Sequence, residues 1–207
     1  MGMIFFMNAD QMVSGLLDVS LRNEVLRSLV GWVGVEDEVV KVLVKVIEEP
    51  DTVEDTKAFA TVLGRLGKSV FVEPLVKSVS SVGEDKVAWL ADYLCALGML
   101  LSRRDDFYEV GDEFAHLLGG WMLSANGDLS LKAGDVLVNV TNGVTREYLM
   151  KGAVDQSLSY LTRMACVSGM LNQYREDAAD VLKVAEDDPN EEVVKIVKSG
   201  QAFLALC

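Results

Sequence analysis

Histidine, proline and cysteine are scarce in this sequence: one His, three Pro and three Cys in 207 residues. One histidine and three scattered thiols do not make up a usual zinc site. Cys95, Cys166 and Cys207 form no Cys-x-x-Cys pair, and an odd, unspaced set fits reduced thiols. Basic residues are also few. Lys plus Arg is 19 against 32 Asp plus Glu, a formal net charge of −13. Phosphate binding needs clustered Lys and Arg, so no nucleic-acid partner is expected. Anchoring on anionic lipid is excluded by the same argument. No apolar run approaches the roughly 18 residues of a membrane span. The Met1–Met7 stretch is apolar but lacks the basic start of a secretory signal. Ile4, Phe5 and Phe6 are expected to dock as a first helical turn, and the protein is expected in the cytoplasm.

Half of the residues are hydrophobic and a quarter are charged, which suits a folded chain. The dominant pattern has a period near 3.6. Val39, Leu43, Val46 and Ile47 make one apolar stripe, with Lys41, Lys45 and Glu48 on the other face. Pattern and breakers predict helices over 9–18, 20–33, 36–48, 52–67, 71–82, 84–103, 106–124, 129–141, 145–165, 167–186 and 190–206. No linker rich in Pro, Gly or Ser interrupts them, so a single domain over 1–207 is expected.

A weak internal repeat runs through the helices. Leu29-Val30-Gly31-Trp32-Val33, Val62-Leu63-Gly64-Arg65-Leu66 and Ala96-Leu97-Gly98-Met99-Leu100 share a central glycine, and Val136-Leu137-Val138-Asn139-Val140 follows as a fourth copy. Glycine costs about 1 kcal/mol in a helix interior relative to alanine. Its recurrence at one place implies a close approach there, most simply by the helix of the next repeat. Helical hairpins that cannot bury their faces alone stack and share a core, so about five such hairpins are expected.

These segments resemble the armadillo/HEAT superfamily of α-solenoids. Ala133 to Val140 is similar to the inner-helix signature of an armadillo repeat, and Gly152-Ala153-Val154 with Leu158 and Leu161 to the opening of the next. Asp188-Pro189-Asn190-Glu191-Glu192-Val193-Val194 resembles the aspartate–proline start of a HEAT inner helix. The other copies depart from the family pattern, with Trp32, Arg65 and Met99 where Asn139 stands. The resemblance implies an all-α, right-handed α-α superhelix that binds a protein partner on its concave inner helices, as a non-catalytic scaffold or adaptor. Trp32, Arg65, Met99 and Asn139 would then form a partner-binding ladder. An armadillo-type Hsp70 cochaperone or nucleotide exchange factor is one version of this reading, and a structural subunit of a large assembly is another. No cofactor, metal or small-molecule substrate is expected.

Three further features bear on chemistry. Asp105-Asp106-Phe107-Tyr108-Glu109 is similar to the magnesium-binding motif of terpene synthases, an isoprenoid-type alternative using Asp105, Asp106 and Glu109. A helix start explains the same acids. His116 has no partner legible in sequence. Trp89 and Tyr93 share one helix face, as core or as an anchor for a partner. Charge is uneven, with net −4 over 1–104 and −9 over 105–207. Six acids and no Lys or Arg lie between Asp105 and Asp128, which suits either a solvated face or docking of a basic partner segment.

Overall fold

The computed structural model describes residues 7–30, 34–81 and 87–206. The described residues form twelve α-helices, two 3-10 turns and two short strands. They divide into two compact units, Met1–Arg103 and Arg104–Cys207.

The first unit holds α1 (Ala9–Leu17), α2 (Val19–Leu29), α3 (Asp37–Glu48), α4 (Thr56–Leu66), α5 (Val72–Ser80) and α6 (Val87–Leu101). Side chains set the helix starts. Asn8 and Gln11 form a capping box on α1, Asp18 caps α2 and Asp55 caps α4. Gly67, at φ +63°, ends α4 in the left-handed conformation that glycine tolerates best. The stripe read from sequence on α3 is buried: Val39, Leu43, Val46 and Ile47 face the core. Helices α1, α3 and α5 pack in one row and α2, α4 and α6 in a second. Leu16, Leu26, Leu43, Phe59, Leu63 and Leu94 fill the space between, each worth about 1.5–3 kcal/mol on burial.

The second unit repeats this plan with α7 (Asp112–Met122), α8 (Gly127–Leu137), α9 (Gly143–Val154), α10 (Tyr160–Gln173), α11 (Arg175–Ala185) and α12 (Glu191–Leu204). Three hairpins, α7–α8, α9–α10 and α11–α12, stack with α7, α9 and α11 in one row and α8, α10 and α12 in the other. Each unit is therefore a short helical repeat. Side-chain hydrogen bonds tie matching positions of successive hairpins at separations near the glycine repeat: 35 residues for Arg65 to the Val30 carbonyl, 35 for Gln173 to the Val138 carbonyl, and 32 for Tyr174 to the Asn142 carbonyl.

The pattern reading is corrected in three places. Residues 106–124 are not one helix. Tyr108–Glu109 is a strand (β1) pairing in parallel with Val140–Thr141 (β2), so α7 begins at Asp112 and α8 stops at Leu137. The expected helix 145–165 breaks at 155–159, where Asp155 accepts from the Ser157 N–H and Oγ and Ser159 caps α10. Helix α10 then runs unbroken through the boundary placed at 165–167, and α11 starts only after Tyr174. These breaks give twelve helices among the described residues where the pattern predicts eleven. The docking of Ile4, Phe5 and Phe6 and the break between the helices predicted over 71–82 and 84–103 lie outside the described residues.

Candidate functional site

The two parallel strands each lead into a helix start, β1 into α7 and β2 into α9. Register pairs Tyr108 with Val140 and Glu109 with Thr141, so both helix N-termini open on the same side of the second unit. A cleft of about 550 Å³ lies there, lined by Glu109, Asp112, Thr141, Asn142, Arg146 and Glu147 among others.

Asn142 is its hub. The Asn142 side chain caps α9 by accepting from the Val144 N–H at 2.6 Å. Its Nδ2 donates to the Val110 carbonyl at 2.9 Å and to Asp112 Oδ1 at 2.8 Å, which fixes the start of α7 against the start of α9. Its carbonyl accepts from the Tyr174 hydroxyl at 2.9 Å, which adds the start of α11.

Arg146 is bound to Asp177 on α11 through Nε at 2.6 Å and also through Nη2. Those hydrogen bonds, and then the guanidinium charge, hold the Asp177 carboxyl below its ordinary value. The arginine charge is thus committed. Among the described residues neither Glu109 nor Glu147 forms an ion pair, although the charge of Glu147 acts on Arg146. Asp112 and Glu113 sit in the first turn of α7 and offset its positive end. The remaining charge of the cleft wall is negative.

The ladder positions fall as follows. Trp32 lies outside the described residues. Arg65, near the end of α4, is exposed, yet its Nη1 donates to the Val30 carbonyl at the end of α2. Met99 on α6 is half-buried. Its Sδ lies 2.7 Å from where a Cβ on Gly64 would stand, which is the close approach expected of that glycine. Arg65 and Met99 are thus on packed neighbours, α4 and α6. Asn139 belongs to the second unit. It lies past the end of α8, where its Nδ2 donates to the Asp135 carbonyl at 2.8 Å and its carbonyl accepts from the Tyr108 N–H at 3.0 Å. Both of these polar groups serve the fold.

Trp89 and Tyr93 are core: 8% and 0% exposed, with rings stacked at 4.0 Å. His116 is exposed on α7, its Nδ1 3.3 Å from the Tyr148 hydroxyl. The Tyr148 ring lies over Gly119, a close-packing site in a continuous helix, while Gly120 has open space around it. Asp105 and Asp106 lie in an exposed bend and Glu109 on β1, and Arg104 pairs with Asp106 at 3.0 Å. They do not start a helix. Among the described residues, no group of three or more His, Cys, Asp or Glu is placed to hold a metal ion.

Sequence reading missed two buried arginines that occupy matching places. Arg163, one turn into α10, donates to the Leu158 carbonyl of its own hairpin turn and chelates Asp188 in the α11–α12 turn at 2.7 and 2.9 Å. Burial acts to raise the Asp188 carboxyl, but the Arg163 fork and the Asn190 N–H outweigh it and hold the group below its ordinary value. Arg22, one turn into α2, donates to the Leu16 carbonyl at 2.7 Å and to Thr52 in the α3–α4 turn. Its carboxylate partner, Glu49, stands at 3.8 Å with a side chain 60% exposed. The legible signal was an acid before proline, Glu49-Pro50 and Asp188-Pro189, with an arginine 27 and 25 residues earlier.

No protein-family model matches the sequence, and no curated protein matches it. Among solved structures, the chain is similar to human deoxyhypusine hydroxylase in complex with glycerol, at 13% identity and a TM-score of 0.43. The likeness covers 96% of this chain and 85% of that one. The sequence reading expects a non-catalytic stack, whereas the similar structure is by its name an enzyme. No described helix is long and apolar enough to cross a membrane.

Proposed function

We propose that the chain is a helical-repeat protein-interaction module, a scaffold or adaptor of armadillo/HEAT type, in which each stack of three hairpins is a piece of a right-handed α-α superhelix. Its second unit receives a basic segment of a protein partner in the cleft between the starts of α7 and α9. One observation carries this reading. The cleft wall presents Glu109 and Glu147, while the arginine beside them is held by Asp177. A carboxylate without a counter-ion at the rim of a cleft attracts a Lys or Arg side chain and steers its approach.

The earlier ladder contributes differently. Arg65 supports the stack by capping a neighbouring helix end, and Met99 by packing on Gly64. Partner specificity rests on the cleft instead. The test is capture of the partner by the full chain at low and raised salt, beside Glu109→Gln with Glu147→Gln. The reading expects a partner retained at low salt and lost in the double variant. Equal capture by both chains would place the interface elsewhere.

A further inference from the structure

We propose that Thr52 is a phosphoacceptor, and that a phosphoryl group on its hydroxyl completes the charge of the buried Arg22. The two arginine sites make the argument. In the second unit, the side chains of Arg163 and Asp188 are 5% and 3% exposed, and two nitrogens meet two oxygens. In the first unit, the Arg22 side chain is equally buried, at 4%, but the Glu49 carboxylate stands off at 3.8 Å, makes no hydrogen bond to it and is 60% exposed. A buried guanidinium demands a close, hydrogen-bonded anion. The atom that occupies the place of that anion is Thr52 Oγ1, which accepts from Arg22 Nη1. Thr52 is half-buried on the 3-10 turn Pro50–Thr52, a surface connection that another protein can reach.

Transfer of the γ-phosphoryl group of a nucleoside triphosphate, by a protein kinase, would form the Oγ1–P bond. It would break the bond from that phosphorus to the leaving nucleoside diphosphate, and the hydroxyl proton would pass to a base. The Thr52 hydroxyl would lose its donation to the Glu49 carbonyl. In exchange, up to three phosphate oxygens would face the Arg22 fork. The α1–α2 hairpin would be pinned to the α3–α4 turn as Asp188 pins α10 to the α11–α12 turn.

The experiment uses the full chain with phosphothreonine installed at position 52, melted beside the unmodified chain. The modified chain should melt about 4 °C or more higher at pH 7.5. The guanidinium holds the phosphate dianion in the folded state. The gain is therefore complete above about pH 6 and shrinks as pH falls and the phosphate takes up a proton. In Arg22→Gln the modification should lower the melting temperature. If that variant does not fold, the pH dependence decides alone. An unchanged or lowered melting temperature on modifying the native chain overturns the proposal, as does a gain that persists unchanged at pH 5. An equal gain from inorganic phosphate on the unmodified chain overturns it too. Phosphopeptide mapping of the natively expressed chain, under phosphatase inhibition, should find phosphate on Thr52; its absence counts against the assignment.

Discussion

Arg163 and Asp188 meet through two nitrogens and two oxygens, with both side chains almost wholly out of solvent, and so join one hairpin turn to the next. Breaking such a pair leaves one charge buried and alone. Asp188→Ala should cost about 3–5 kcal/mol, read by denaturant unfolding. Glu49→Ala, at the matching but exposed position, should cost less than about 1 kcal/mol. Equal losses would show that the two sites are not distinguished by burial.

The same aspartate sets an acid dependence. Its carboxyl is held below the ordinary value in the folded chain. Its contribution is therefore complete above about pH 4 and is lost as pH falls through the folded value. Melting curves between pH 2 and 6 should show the native chain losing stability over that window. Asp188→Asn should lose less across it.

Tyr93 offers a gain. Its ring is fully buried against Trp89 and Phe59, and its hydroxyl has no hydrogen-bond partner among the described residues. Burial pushes that hydroxyl far above its usual range. Tyr93→Phe removes an unsatisfied polar atom and keeps the ring. It should leave stability unchanged or raise it by about 1 kcal/mol. A loss above that size would reveal a partner for the hydroxyl.

The glycines give a graded series. A Cβ at Gly119 would stand 2.2 Å from the Tyr148 ring, which cannot move without leaving His116. A Cβ at Gly64 would meet the flexible end of Met99 at 2.7 Å. Gly64→Ala should cost about 1–3 kcal/mol and be eased by Met99→Ala in a double-mutant cycle. Gly119→Ala should cost more, with rescue by Tyr148→Ala. Additive effects in either pair would show that the contacts named do not set the cost.

How much was legible follows from how local each signal is. The stripe of α3 and the caps at Asn8 and Asn190 are written within a few residues, and those helices form where periodicity places them. Gly64 announced a close approach, and Met99 supplies it. The stop at 155–159 was equally local, an Asp-x-Ser turn followed by a capping serine, but the apolar residues around it continue the helical period and hid it. The β1–β2 pair was not local. Tyr108 and Val140 are brought together only by the packing of α7 on α9, and neither two-residue strand carries an alternating pattern of its own. The cleft depends on that pairing. Its hub, Asn142, falls between the helices predicted over 129–141 and 145–165, and its bonds to Val110, Asp112 and Tyr174 cross about thirty residues. Arg65 shows the converse. It is a residue type favoured in interfaces, yet its guanidinium lies on the carbonyl end of α2.

The cleft itself is tested most directly by a photo-crosslinking residue at Gly143, a cleft position with open space around its Cβ. The full chain would be activated with its partners present, at low and raised salt, and the attached peptide sequenced. The account predicts an adduct on one partner segment rich in Lys and Arg. That adduct should be weakened by salt and lost when Glu109 and Glu147 are both changed to Gln. An adduct on an acidic or apolar segment, or one of equal yield in the double variant, would contradict it.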